Sequence, residues 1–190
     1  MSPVVITPRR FADDRGWFSE TYNAAKLSQL GIADAFCQDN QSLSLSANTL
    51  RGLHFQRPPF AQSKLVRCVA GRIFDVAVDI RRDSPSFGHW VGTVLGSDDG
   101  KQFYIPVGYA HAFLTLEPDC VVAYKVDAFY SATSEGGIIW NDPDIGIDWP
   151  LERKEPLLSS KDTLLPPFSD LQADFPYDGE ALGPLREITV

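Results

Sequence analysis

Histidine is scarce in this chain, with three among 190 residues, and their placement matters as much as their number. His54, His89 and His111 never form the His-x-His pair with a nearby carboxylate that a metal-binding barrel uses. A metal centre would have to be gathered from distant segments, so none is expected. Cysteine is equally sparse: Cys37, Cys68 and Cys120 are odd in number, scattered and free of any C-x-x-C spacing. That pattern argues against a disulfide scaffold or zinc knuckle and points to a reducing cytoplasm. Positive charge is short as well. A formal net charge of -8 disfavours a nucleic-acid partner, yet leaves room for a small anion held by a few local arginines. No apolar run approaches the length of a membrane span, and Val4-Val5-Ile6 ahead of Arg9-Arg10 falls far short of a signal-peptide core. The expectation is a soluble cytoplasmic protein without a membrane anchor.

Helical pattern is also thin. Asn23–Leu30, ended by Gly31, reads as a short helix, and Ser160–Leu165 reads as a turn before Pro166. What fills the chain instead is strand. In Ile73-Phe-Asp-Val-Ala-Val-Asp-Ile80, Phe74, Val76, Val78 and Ile80 share one face; Ile73, Asp75, Ala77 and Asp79 share the other. Further strands are expected at Lys64–Val69, Trp90–Leu95, Gln102–Ile105, His111–Leu116, Cys120–Val126 and Gly137–Trp140, with turn residues between them. Many short, evenly spaced strands indicate a sandwich or barrel. At this length, with 44% apolar residues, one domain over 1-190 is expected. Residues 1-48 would supply an N-terminal arm and first strands, 49-147 the barrel core, and 148-190 a C-terminal wrap.

Two segments carry the chemistry. Arg51-Gly-Leu-His54-Phe-Gln, followed by Lys64-Leu-Val-Arg-Cys, and Pro106-Val-Gly-Tyr-Ala-His111-Ala-Phe each set a histidine among apolar strand residues. Buried polar groups are costly unless something partners them, and an anionic substrate with a mobile proton would do so. Lys64 shares its strand face with Val66 and Cys68, which suggests an inward ammonium. Tyr124 shares a face with Val122 and Val126, which suits a pocket-lining phenol. His89, in Phe87-Gly-His-Trp, reads as a surface residue. Arg51 and His54 differ in strand parity, so a bend or bulge near Gly52 is needed to bring them to one face.

The chain resembles the dTDP-4-dehydrorhamnose 3,5-epimerase family, from Asp14-Arg-Gly-Trp-Phe-Ser-Glu20 to Ser160-Lys-Asp162. Gln38-Asp-Asn40, the His54 and Lys64 segments, Phe74-Asp-Val-Ala-Val-Asp-Ile-Arg-Arg, Ser84-Pro-Ser-Phe-Gly, Ala110-His111, Tyr124-Lys, Tyr130, Glu135 and Trp140-Asn-Asp-Pro match in order. One departure is Ala112, where glycine is usual; its extra methyl is expected to narrow the pocket slightly. The resemblance implies an all-β, cupin-like jelly roll without a metal or other cofactor, and short helical segments near the C-terminus. The implied substrate is a dTDP-4-keto-6-deoxy sugar whose C3 and C5 protons flank a ketone, so that removing either gives an enolate. Such chemistry needs a base, an acid on the opposite face and a positive donor at the ketone oxygen.

His54 suits the base, since imidazole accepts a proton near neutrality. By family match Asp162 would orient it, Lys64 would stabilise the oxyanion with His111 beside it, and Tyr124 would be the acid. Tyr130 would stack on thymine, while Arg51 and Arg15 would hold the diphosphate, guanidinium forks suiting phosphate oxygens. Glu20, Gln38, Asn40, Glu135 and Lys161 carry over as further substrate contacts. In this family the Arg15–Glu20 arm commonly reaches a neighbouring subunit's site, which implies a homodimer. The rival readings are a relative inverting a single carbon, a metal-dependent cupin oxygenase and a non-catalytic sugar-binding barrel.

Overall fold

Period-two alternation becomes two facing sheets in a computed structural model, which describes residues 1–152, 155–172 and 174–190. The strands are β1 (Val4–Thr7), β2 (Arg10–Asp13), β3 (Gly16–Ser19), β4 (Gln38–Ser44), β5 (Leu50–Gln56), β6 (Lys64–Ala70), β7 (Arg72–Asp79), β8 (Trp90–Gly96), β9 (Gln102–Ile105), β10 (Tyr109–Thr115), β11 (Cys120–Val126), β12 (Glu135–Gly137) and β13 (Arg186–Thr189). A six-stranded sheet runs β13-β1-β9-β6-β11-β4, a five-stranded sheet runs β12-β5-β10-β7-β8, and β2 with β3 form a separate hairpin.

The alternation on β7 decides which side chains meet. Val76 and Val78 point away from the six-stranded sheet and pack with Ile138, Trp140, Trp149 and Phe175 of the C-terminal stretch. Ile73 and Ala77 point between the sheets and meet Val66, Phe103 and Val122. Burying each large apolar side chain in this way contributes about 1.5–3 kcal/mol. On the far side of the six-stranded sheet lies the helix α1 (Ala24–Gln29), whose Leu27 packs with Ile6, Leu65 and Tyr104. Asn23 caps it by accepting from the amides of Ala25 and Lys26 at 3.0 and 3.2 Å, an arrangement that contributes about 1 kcal/mol. Gly31, at φ +84, ends the turn that follows.

Two sequence expectations need correction. Strand structure near Trp140 covers Glu135–Gly137 instead of Gly137–Trp140. Ile138 still exchanges backbone hydrogen bonds with Leu53 at 3.1 and 3.2 Å, but the Ile139 amide turns to the Pro166 carbonyl, and Ile138 and Trp140 bury their side chains in the core beneath the five-stranded sheet. Ala112 does not narrow a substrate pocket: it is fully buried with Leu53 and Val76, on the face of β10 opposite His111.

The bulge needed to align Arg51 with His54 is present. His111 pairs with His54 and Phe113 with Arg51, so β5 spends one more residue than β10 over the same stretch. Gly52 takes φ +112 there, and a Cβ would stand 2.5 Å from the carbonyl oxygen of His111. Only glycine fits.

Candidate active site

The inner faces of the two sheets, with the C-terminal stretch, enclose a cavity of about 490 Å³. From the five-stranded sheet, β5 contributes Arg51 and His54 and β10 contributes His111; from the six-stranded sheet, β6 contributes Lys64 and β11 contributes Tyr124. The C-terminal stretch closes one side with Leu157, Ser159, Lys161 and Asp162. His54, Lys64 and Tyr124 also border an adjoining cavity of about 170 Å³, lined further by Gln38, Asn40, Tyr130 and Glu135. Eleven of the thirteen residues singled out in the sequence therefore border this pair of cavities. Arg15 and Glu20 do not. Arg15 lies exposed on the hairpin turn, 2.6 Å from Asp13, and Glu20 pairs with Lys26 at 3.0 Å. His89 is exposed.

The side chains are held in a defined electrostatic arrangement. His54 Nε2 stands 2.6 Å from Asp162 Oδ1. Burial alone would raise the Asp162 carboxyl, but hydrogen bonds from His54, Ser159 and the Gly52 amide outweigh it and hold it below the usual carboxylate range. An ionised carboxylate only accepts, so it places the His54 proton on Nε2 and leaves the lone pair on Nδ1. Asp162 itself is set at the first position of a 3₁₀ turn, where its amide donates to Ser159 Oγ at 3.1 Å.

Lys64 is almost entirely buried, and desolvation brings its ammonium down to about 8, with the charge of Asp75 pulling the other way. At pH 7 it remains mostly protonated. His111 is buried too, and burial pushes it below the ordinary histidine value, against the pull of Asp75. It is thus a neutral imidazole at pH 7, and its Nε2–H donates to Asp75 Oδ1 at 2.8 Å. Tyr124 is pushed up by burial, while the Arg51 charge acts in the opposite direction, favouring the phenolate. A phenol so placed is protonated at neutral pH and can give its proton away.

The structure adds residues to those the sequence suggested. Asp75 is fully buried, and its Oδ2 has no hydrogen-bond partner among the described residues. The signal was visible as one of two acids on the inner face of β7, but nothing in the sequence tied it to His111. Ser44 holds Arg51, whose Nε donates to Ser44 Oγ at 3.1 Å and whose Nη2 donates to the Leu43 carbonyl at 3.0 Å. Among the described residues, no group of three histidine, cysteine or acidic side chains is placed to hold a metal ion. No helix among them is long and apolar enough to cross a membrane.

Comparison with known proteins meets this geometry. The family profile described as dTDP-4-dehydrorhamnose 3,5-epimerase matches residues 2–170. A protein of that name from Sinorhizobium fredii is 48% identical over 174 residues, spanning 91% of this chain and 88% of its own. A solved dTDP-4-dehydrorhamnose 3,5-epimerase from Bacillus anthracis, with TDP and PPi bound, superposes with a TM-score of 0.84 at 48% identity, covering 87% of this chain and 93% of its own. A dTDP-6-deoxy-D-glucose-3,5-epimerase from Legionella pneumophila, in complex with dTDP-4-keto-L-rhamnose, reaches 0.86 at 41% identity, covering 91% of this chain and 93% of its own.

Proposed function

Because the chain belongs to the dTDP-4-dehydrorhamnose 3,5-epimerase family, we propose that it inverts C3 and C5 of dTDP-4-dehydro-6-deoxy-D-glucose to give dTDP-4-dehydro-L-rhamnose. The observation that carries this reading is a base and an acid reaching one cavity from opposite sheets, His54 from β5 and Tyr124 from β11. Inverting a carbon next to a ketone removes a proton from one face and returns one to the other, so the two groups must flank the sugar.

In this account His54 Nδ1 takes the proton from C3 or C5, and Asp162 stabilises the resulting imidazolium through Nε2. Negative charge develops on the ketone oxygen, where the buried Lys64 ammonium meets it. Neutral His111 orients the sugar beside Lys64. Tyr124 then protonates the carbon from the other face, and the nearby Arg51 charge steadies the phenolate left behind. The sugar occupies the larger cavity, and thymidine lies over the smaller one against Tyr130, with Gln38, Asn40, Glu135 and Lys161 around it. Arg51, on the wall of the larger cavity, holds the diphosphate. The groups used supply base, acid and oxyanion stabiliser without a cofactor.

Arg15 and Glu20 join such a site only from a second copy of the chain. Phe11, Trp17 and Phe18 of their hairpin are 53%, 57% and 69% exposed, a cost in water that packing on a partner would remove. A homodimer with exchanged hairpins is the arrangement we favour. Unpaired Cys37, Cys68 and Cys120 suit the reducing cytoplasm, where sugar nucleotides are available.

The test is incubation with dTDP-4-dehydro-6-deoxyglucose in heavy water, followed by NMR. Deuterium at both C3 and C5, with inversion at both, is expected; exchange at one carbon alone would replace this reading by a single-carbon epimerase. His54→Asn should abolish uptake at both carbons while dTDP still binds.

A further inference from the structure

We infer that Ser44 is a positioning residue that aims the Arg51 guanidinium at the substrate's diphosphate; this rests on the reading of Arg51 as a diphosphate ligand. The inner face of β4 is polar along its whole length: Gln38, Asn40, Ser42 and Ser44 alternate with exposed residues. A strand pays for such a face unless ligand or partner groups meet it. Gln38 and Asn40 border the smaller cavity and Ser42 the larger. Ser44, 3% exposed, borders neither, and its hydroxyl instead accepts from Arg51 Nε at 3.1 Å.

The position of β4 makes the second half of the grip available. It is the terminal strand of the six-stranded sheet, paired with β11 alone, so its outward carbonyls have no ladder partner. The Leu43 carbonyl takes Arg51 Nη2 at 3.0 Å. Arg51 comes from β5 in the other sheet, so this contact bridges the two sheets at the cavity. Nε and one Nη2 hydrogen form the side edge of the guanidinium. With that edge held, the end edge, formed by Nη1 and the second Nη2 hydrogen, remains for a phosphate fork. A guanidinium fixed in this way loses less side-chain entropy when the diphosphate arrives.

Binding of dTDP and of thymidine to Ser44→Ala, Ser44→Thr and Arg51→Ala separates this role from a merely structural one. Ser44→Ala is expected to weaken dTDP about five- to tenfold, the effect of one lost hydrogen bond, and to leave thymidine affinity unchanged. Its KM should rise by the same factor while kcat stays within about twofold. Ser44→Thr, which keeps the acceptor oxygen, should bind dTDP within about twofold of wild type. Wild-type dTDP affinity in Ser44→Ala beside a weakened Arg51→Ala would overturn the positioning role alone. Equal losses for dTDP and thymidine in Ser44→Ala would overturn it as well. Unchanged dTDP affinity in Arg51→Ala would remove the premise, and with it the inference.

Discussion

Asp75 and Asp79 stand on the same face of the same strand, both without solvent exposure, yet they belong to different kinds of place. Asp79 is saturated. Arg81 grips it through Nε and Nη2 at 2.9 and 2.8 Å, Ser84 and Ser86 donate to Oδ2 at 2.7 and 2.8 Å, and the same arginine reaches Tyr109 and Asp178. Asp75 is not. One oxygen meets His111, the other meets no partner among the described residues, and the adjacent Lys64 is buried at a cost that brings its ammonium down to about 8. Both clusters are buried and ionic, so burial and charge do not tell them apart. Completeness does. The Arg81 cluster pins the C-terminal stretch to the barrel, whereas the Asp75 cluster adjoins a cavity and keeps polar capacity in reserve for a substrate.

Matched substitutions should break the two clusters in opposite ways. Lys64→Met is expected to lower turnover by about 10²–10³-fold, the loss of an oxyanion stabiliser, while changing unfolding free energy by no more than about 1 kcal/mol. Arg81→Met should do the reverse. It leaves Asp79 buried without its cation and should cost about 3–5 kcal/mol in denaturant unfolding, with the folded fraction turning over at the wild-type rate. Similar stability losses for both variants would erase the distinction.

A smaller effect sharpens it. Activity requires protonated Lys64, so kcat/KM of the wild type should fall as pH rises through about 8. The groups facing this ammonium include the Asp75 carboxylate on β7, neutral His111 on β10 and His54 on β5. Asp75→Asn removes a negative charge that favours the ammonium. Its alkaline limb should therefore move to lower pH, with roughly a tenfold loss of kcat at pH 7.5 and dTDP affinity unchanged. A limb that stays in place would show that Asp75 does not act on Lys64. At the rim the effects should be smaller still. Tyr130→Phe should be nearly neutral, and Tyr130→Ala should weaken dTDP binding by roughly 1–3 kcal/mol, the cost of a lost base stack, measured by calorimetry.

Several strands were legible in the sequence from their apolar pattern, and Gln102–Ile105 and Cys120–Val126 have the expected bounds, whereas the short β1 was not marked although it too sits between two others. β4 was invisible for want of such a pattern. Its inner face is Gln38, Asn40, Ser42 and Ser44, polar because it borders the cavities and Arg51, so no hydrophobic pattern marks it as a strand. The bulge at Gly52 was legible from parity, since Arg51 and His54 could not otherwise serve one site. Asp162 lies 108 residues from His54 in a stretch of turns, and without the family resemblance it would pass for a surface acid. Its role depends on a tertiary contact that no local pattern encodes, and so does the pairing of Asp75 with His111.

The central claim is that proton removal and proton return are divided between the two sheets, and Tyr124→Phe tests it most directly. With the phenol gone, His54 and Lys64 can still form the enolate. NMR in heavy water should then show deuterium entering C3 and C5 from the His54 face with configuration retained, while inversion falls by about 100-fold or more. A Tyr124→Phe enzyme that inverts both carbons at the wild-type rate would contradict the account.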